Sequence, residues 1–120
     1  MMMKNNIIVD KSKSFAIRII KLYQHLINNY RISPIANQIL KSGTSIGANV
    51  KEAIRGQSKA DFYAKMNIAL KECSETEYWL ELLHESEFIS KEQFESIYSD
   101  CEEIIKILVS ITKTQKNNNS

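Results

Sequence analysis

The sequence predicts an all-α fold, an antiparallel up-down four-helix bundle, and three observations predict it. Apolar residues recur at helical spacing in four stretches, and turn and capping residues fall between those stretches. No stretch alternates polar and apolar residues as a half-buried strand would. Long helices with short connections then leave an up-down bundle as the simplest way to bury four apolar faces. At 120 residues the chain is one domain. Residues 11–112 are expected to form the bundle, between ends 1–10 and 113–120 that are short or polar and expected to fray.

The first helix is expected from Lys11 to Tyr30, with Ser12 or Ser14 as cap. Phe15, Ile19, Leu22, Tyr23, Leu26, Ile27 and Tyr30 form its apolar stripe. Ile17 and Ile20 widen that stripe beyond what one core-facing side needs, so this helix is expected to touch two neighbours. Ser33-Pro34 opens the second helix, with serine as N-cap and the only proline at the first helical position, where a missing N–H does no harm. That helix runs to about Arg55, and Gly56 stands where a left-handed C-cap residue is expected. Ser58 caps the third helix, with Asp61 near its positive end. It spans Lys59 to Glu85, with Phe62, Met66, Ala69, Leu70, Cys73, Leu80 and Leu83 toward the core and Tyr63, Tyr78 and Trp79 off that line. Ser90 and Gln93 read as a capping box for the fourth helix, Lys91 to Thr112. Phe94, Ile97, Tyr98, Cys101, Ile104, Ile105, Leu108 and Ile111 make its seam.

The second helix is the least ordinary. Ile39, Ile46, Val50 and Ile54 lie on one face, and Ser42, Ser45, Asn49 and Glu52 make a polar stripe beside them. Gly43 and Gly47 sit one turn apart in its interior. Each costs about 1 kcal/mol relative to alanine, which implies an element packed closer there than a side chain allows. The stripe reads as a small-residue groove whose polar members hydrogen-bond within or between chains.

Hydrophobic residues make up 43% and charged residues 25%, as in a soluble globular protein, and no apolar run approaches the ~20 residues that span a membrane. The Met-Met-Met-Lys-Asn-Asn start lacks a secretory signal's apolar core, so a cytoplasmic location is expected. Cys73 and Cys101 are then small core residues in a reducing compartment rather than a disulfide or metal pair. The net charge of +2 is unevenly spread: residues 1–58 carry +7 and residues 59–120 carry −5. Such a split points to a basic face or to charge complementarity between neighbouring subunits, or is simply a solvated surface.

Neither catalysis nor a metal or cofactor is expected. His25 and His84 stand alone on their helices; Glu81 and His84 match a Glu-x-x-His motif once, but Leu80 and Leu83 turn Glu81 outward. Ser42 and Ser45 have no histidine base in register, and Gly43-x-x-x-Gly47 lacks the Lys-Ser/Thr ending of a phosphate loop. The acidic crowd on the third helix reads as a solvated face, with Glu75 as a possible partner of Arg55 or Lys51. Basic residues are the better lead. Lys11, Arg18 and Lys21 share one side of the first helix, and Lys41, Lys51 and Arg55 lie on the second. They are the candidate nucleic-acid contacts, weak in one copy and multiplied in a ring of identical subunits. A protein-interaction scaffold is the alternative, on the surplus apolar girth of the first helix with Tyr78 and Trp79, and a hydrolase using the serine and Glu52 stripe ranks last.

Lys41-Ser42-Gly43-Thr44-Ser45-Ile46-Gly47-Ala48-Asn49-Val50, then Glu52-Ala53, Gln57-Ser58-Lys59, Asp61-Phe62, Lys65-Met66, Ile68-Ala69-Leu70-Lys71-Glu72 and Tyr78-Trp79-Leu80 resemble the four-helix-bundle proteins related to the 23S rRNA intervening-sequence protein. Many members carry Glu-Gly at Glu52-Ala53 or Gly-Ser at Lys71-Glu72, which marks a subgroup. The resemblance implies a ring-like homopentamer and does not imply an enzymatic role; genes of the family can lie within insertions in large-subunit ribosomal RNA. The chain is also similar to the accessory variability protein of diversity-generating retroelements, a basic pentamer that binds nucleic acid and reverse transcriptase. Partners so implied are rRNA or another nucleic acid, or a protein such as a reverse transcriptase. Ser42, Gly43, Ser45, Gly47, Asn49 and Glu52 fall on the family's signature helix, with no catalytic role to carry over.

Overall fold

The computed structural model describes residues 3–119, and side chains within 6–114. Four helices follow one another: α1 Met3–Tyr30, α2 Ser33–Ile54, α3 Lys59–Glu85 and α4 Lys91–Asn119, with no strand among the described residues. The molecule measures 47 × 22 × 21 Å, and its cross-section fits two helices of about 10 Å in each direction. The long dimension is that of the helices themselves.

Side-chain pairs fix how neighbours align. Gly43 lies against Ile19 and Gly47 against Ser12; Ser42 meets Thr76 and Glu52 meets Lys65. Cys73 meets Cys101 and His84 stacks on Phe94; Lys11 meets Glu103 and Arg18 meets Asp100. Along every such pair of helices residue numbers rise on one as they fall on the other. Phe15, Ile19, Leu26, Ile39, Ile46, Val50, Met66, Leu80, Leu83, Ile104 and Leu108 fill the space between, all fully buried or nearly so. Each such aliphatic or aromatic side chain contributes about 1.5–3 kcal/mol of burial free energy.

Both ends of the bundle differ from expectation. Residues 1–10 were expected to fray, yet α1 begins at Met3 and Ile8 is fully buried. The reason is that Ile8 and Phe15, two turns apart, continue the buried face backward, with the small Ser12 buried between them. Residues 113–120 were expected outside the bundle, and α4 continues to Asn119. Met1, Met2 and Ser120 lie outside the described residues.

The caps divide in the same way. Ser58 accepts the Asp61 N–H at 3.0 Å, and Ser90 and Gln93 make the reciprocal box, at 2.9 and 3.1 Å. Ser33, however, is already helical; Ile32 is the N-cap and offers no side-chain bond. Gly56 is not left-handed either, for no glycine has a positive φ. A Cβ there would lie 3.1 Å from the Ala53 carbonyl oxygen and 3.3 Å from Asp61 Cβ, so Gly56 serves the tightness of the turn. The left-handed residues are Arg31 (φ 53°) and Glu87 (φ 65°).

On α3, Tyr63 and Thr76 are buried, whereas Phe62 and Leu70 are half-buried. The first helix does touch two neighbours, α2 and α4, yet Ile17 and Ile20 remain 47% and 44% exposed, covered by neither. No helix of the described residues is long and apolar enough to cross a membrane.

Candidate functional site

Of the polar stripe of α2, only Ser42 is buried in the packing; Ser45 and Asn49 are half-buried and Glu52 is exposed. Ser42 is buried and shares a 2.9 Å hydrogen bond with Thr76 on α3. A Cβ on Gly43 would lie 2.7 Å from Ile19 Cγ1, inside any real contact distance, whereas one on Gly47 would meet nothing closer than 3.4 Å, at the Ser12 carbonyl oxygen. Gly43 is thus required by the α1–α2 approach, and Gly47 is not. Asn49 donates to the Ser45 carbonyl at 2.8 Å along its own helix, and Glu52 pairs with Lys65 at 3.3 Å.

The six basic residues do not form one face. Lys11 and Arg18 turn toward α4, where Lys11 pairs with Glu103 and Arg18 reaches Asp100 Oδ2 at 2.6 Å and Ser96 Oγ at 2.9 Å. The Glu103 carboxylate holds the Lys11 ammonium above the ordinary lysine value. Lys21 lines a cavity on the same α1–α4 seam with Arg18, His25 and Gln93. Lys41 lies close enough to Glu72 to favour its ionised form. Lys51 and Arg55 border a different opening, the groove between α1 and α2, of about 760 Å³.

That groove gathers three cations that are in no ion pair among the described residues. Lys13, Lys51 and Arg55 stand on its rim, all exposed and in none of the ion pairs among the described residues. Val9, Ala16, Val50 and Ile54 form its walls, Gly47 and Ala48 keep its floor open, and Asp10 is the acid that lines it. Lys13 had no place among the expected contacts. It lies two residues from Lys11, which turns a helical side chain roughly to the opposite face, and only the position of α2 gives it partners. Lys51 and Arg55 continue around the end of the bundle into a second opening with Lys65, Glu52 and Gly56. An edge of cations over apolar walls is suited to an anionic chain, because it neutralises charge while the walls exclude water.

The acids gather on the other side. Glu72 is held above the ordinary carboxylate value by burial and by Glu75, and Glu77 by burial, Glu81 and Glu102. Glu81 does not point outward: it is half-buried and accepts the Tyr98 hydroxyl at 2.6 Å, because α4 packs beside it. Burial and this bond push the Tyr98 hydroxyl up. Glu75 does not meet Arg55 or Lys51. The α2–α3 register sets Glu52 against Lys65, ten residues along α3 from Glu75, about 15 Å of helix.

His25 and His84 line one cavity at the opposite end, with Tyr30 and Phe88, and no group of three His, Cys, Asp or Glu among the described residues is arranged to hold a metal ion. On α3, Trp79 Nε1 is buried with no acceptor, the one side-chain nitrogen or oxygen among the described residues so placed.

The family described as 23S rRNA-intervening sequence protein matches over residues 4–110. A crystal structure of a protein with unknown function from the S23 ribosomal protein family of Bacteroides thetaiotaomicron VPI-5482 superposes with a TM-score of 0.90, at 57% identity, over 92% of this chain and 99% of that one. No curated protein matches.

Proposed function

The chain belongs to the 23S rRNA-intervening sequence protein family, and from that membership we propose that it is a non-enzymatic, oligomeric helical bundle that binds structured RNA through cations of α1 and α2. The observation that carries the reading is the rim of Lys13, Lys51 and Arg55, three exposed cations free of ion pairs around one groove. Lys11, Arg18, Lys21 and Lys41 play a lesser part, since the first two are neutralised across the α1–α4 seam and Lys41 faces Glu72. The fold we infer is the antiparallel up-down bundle, on the opposed numbering of its side-chain pairs. Five copies in a ring would bring five such rims together, which compensates for the weak hold of one. Exposed Ile17, Ile20 and Tyr78 and the charge split between the chain's halves favour such self-association.

A salt titration against rRNA fragments tests the RNA reading. Binding is expected at about 50 mM salt, with a log-log slope that falls by about 1 for each phosphate contact removed. Lys51→Ala with Arg55→Ala should flatten the slope by about 2, and Lys11→Ala should leave it nearly unchanged. No binding at low salt, or a double variant indistinguishable from the parent, would overturn it. Light scattering tests the ring, for which the mass of one chain would be the refuting result.

The alternative is a protein-interaction scaffold without nucleic-acid contact. It is favoured by the exposed Tyr78 on α3 and by the exposed Ile17 and Ile20 on α1, apolar surface that no element of the described residues covers. Binding of a protein ligand that survives nuclease treatment and is lost in Tyr78→Ser would select it.

A further inference from the structure

We propose that Cys73 and Cys101 are an oxidisable dithiol, which a low-molecular-weight disulfide such as glutathione disulfide converts to an intramolecular bond joining α3 to α4. They are the only two cysteines of the chain, and they face each other across the α3–α4 seam. The sulfurs lie 3.6 Å apart, and each is 3.5 Å from the carbonyl oxygen of the other residue. Bond formation brings them about 1.6 Å closer. That reciprocal contact marks a close approach of the two helices, so side-chain rotation with a slight helix shift suffices.

The chemistry balances without any further reagent. One thiol, as its thiolate, attacks a sulfur of the small disulfide and releases one small thiol; the second thiolate then attacks the protein sulfur of that mixed disulfide and releases the other. The protein loses two hydrogens and two electrons, and the oxidant becomes two thiols.

Burial makes the pair latent. Both cysteines are fully buried, and the bond to Cys73, followed by burial, holds the Cys101 thiol protonated. No cation lies near to favour a thiolate, and Glu77 and Glu102 oppose one. The intact seam therefore excludes oxidant and suppresses the nucleophile together. Oxidation proceeds when α3 and α4 part, and closure of the bond then fixes the seam that had opened.

The test is to incubate the full-length reduced protein with glutathione disulfide in increasing urea, below its unfolding midpoint. Intact mass and peptide mapping then follow the products. The expected product has lost two hydrogens, is monomolecular in covalent terms, and carries a Cys73–Cys101 peptide. Its rate of formation should rise about tenfold or more across the urea series, as opening becomes easier. Oxidised and reduced protein are then compared by thermal unfolding, and a midpoint raised by about 10 °C is expected from closing a loop of this size. Stable glutathione adducts at both cysteines, disulfide-linked dimers, no product at any urea concentration, or a midpoint unchanged or lowered would overturn the proposal. Cys73→Ser and Cys101→Ser, each alone, should stop at a single adduct.

Discussion

Gly43 shows how much one hydrogen atom in place of a methyl can decide. Its α-carbon faces Ile19, whose branched side chain is buried and cannot swing away, so Gly43→Ala must push α1 and α2 apart. We expect a loss of about 1–3 kcal/mol by chemical denaturation. Gly47→Ala is expected to be neutral or to gain up to about 1 kcal/mol, because the added methyl meets only ordinary contacts while the helix gains propensity. A larger loss at Gly47 than at Gly43 would contradict the packing described. That glycines serve close approach was legible in the sequence; which of the two does so was not, since it depends on where Ile19 arrives from another helix. Thr76 was illegible for a related reason. A fully buried threonine looks like surface until the α2–α3 register supplies Ser42 as its partner.

At the scale of the element, helix ends carry the lesson. Ser58 and Ser90 were readable because their bonds close within four residues. Gly56 was misread because α2 closes without a left-handed residue, the Gly56 N–H donating to the Ala53 carbonyl, whereas the end of α3 places a glutamate in that conformation. At Glu87 the Phe88 N–H bonds the Leu83 carbonyl and the Glu87 N–H bonds the His84 carbonyl, which is the double closure of a left-handed helix end. A side chain is disfavoured in that conformation. Glu87→Gly should therefore stabilise the protein by about 0.5–1 kcal/mol, measured as a shift in denaturation midpoint, and a loss would mean the side chain has a role beyond the turn. Helix lengths were underestimated at both termini because polar residues there obscured a continuing apolar line through Ile8.

The whole molecule separates its charges, and the bundle decides which of them meet. The imbalance between halves was legible from residue types alone but the pairing was not, since Lys11 and Arg18 find α4 acids only when first and last helices come together. What remains unpaired is a cationic rim on one side and crowded carboxylates on another. The second has a pH signature. Glu72 and Glu77 titrate above the ordinary value of 4.5, so the folded state binds protons more readily than the unfolded one. Their contribution is fully present below that value and is lost as pH rises toward neutrality. Glu77→Gln should raise stability at pH 7 by up to about 0.5 kcal/mol, with the gain vanishing toward pH 4. A variant whose advantage grows on acidification would refute that origin. The indole of Trp79 has a further consequence, this time optical. It is the sole tryptophan, half enclosed on α3, with its N–H denied any acceptor and the phenol of Tyr78 5.4 Å away. Its emission is therefore a single-site signal, little relaxed by solvent in the isolated chain, whose colour reports when anything supplies the missing acceptor.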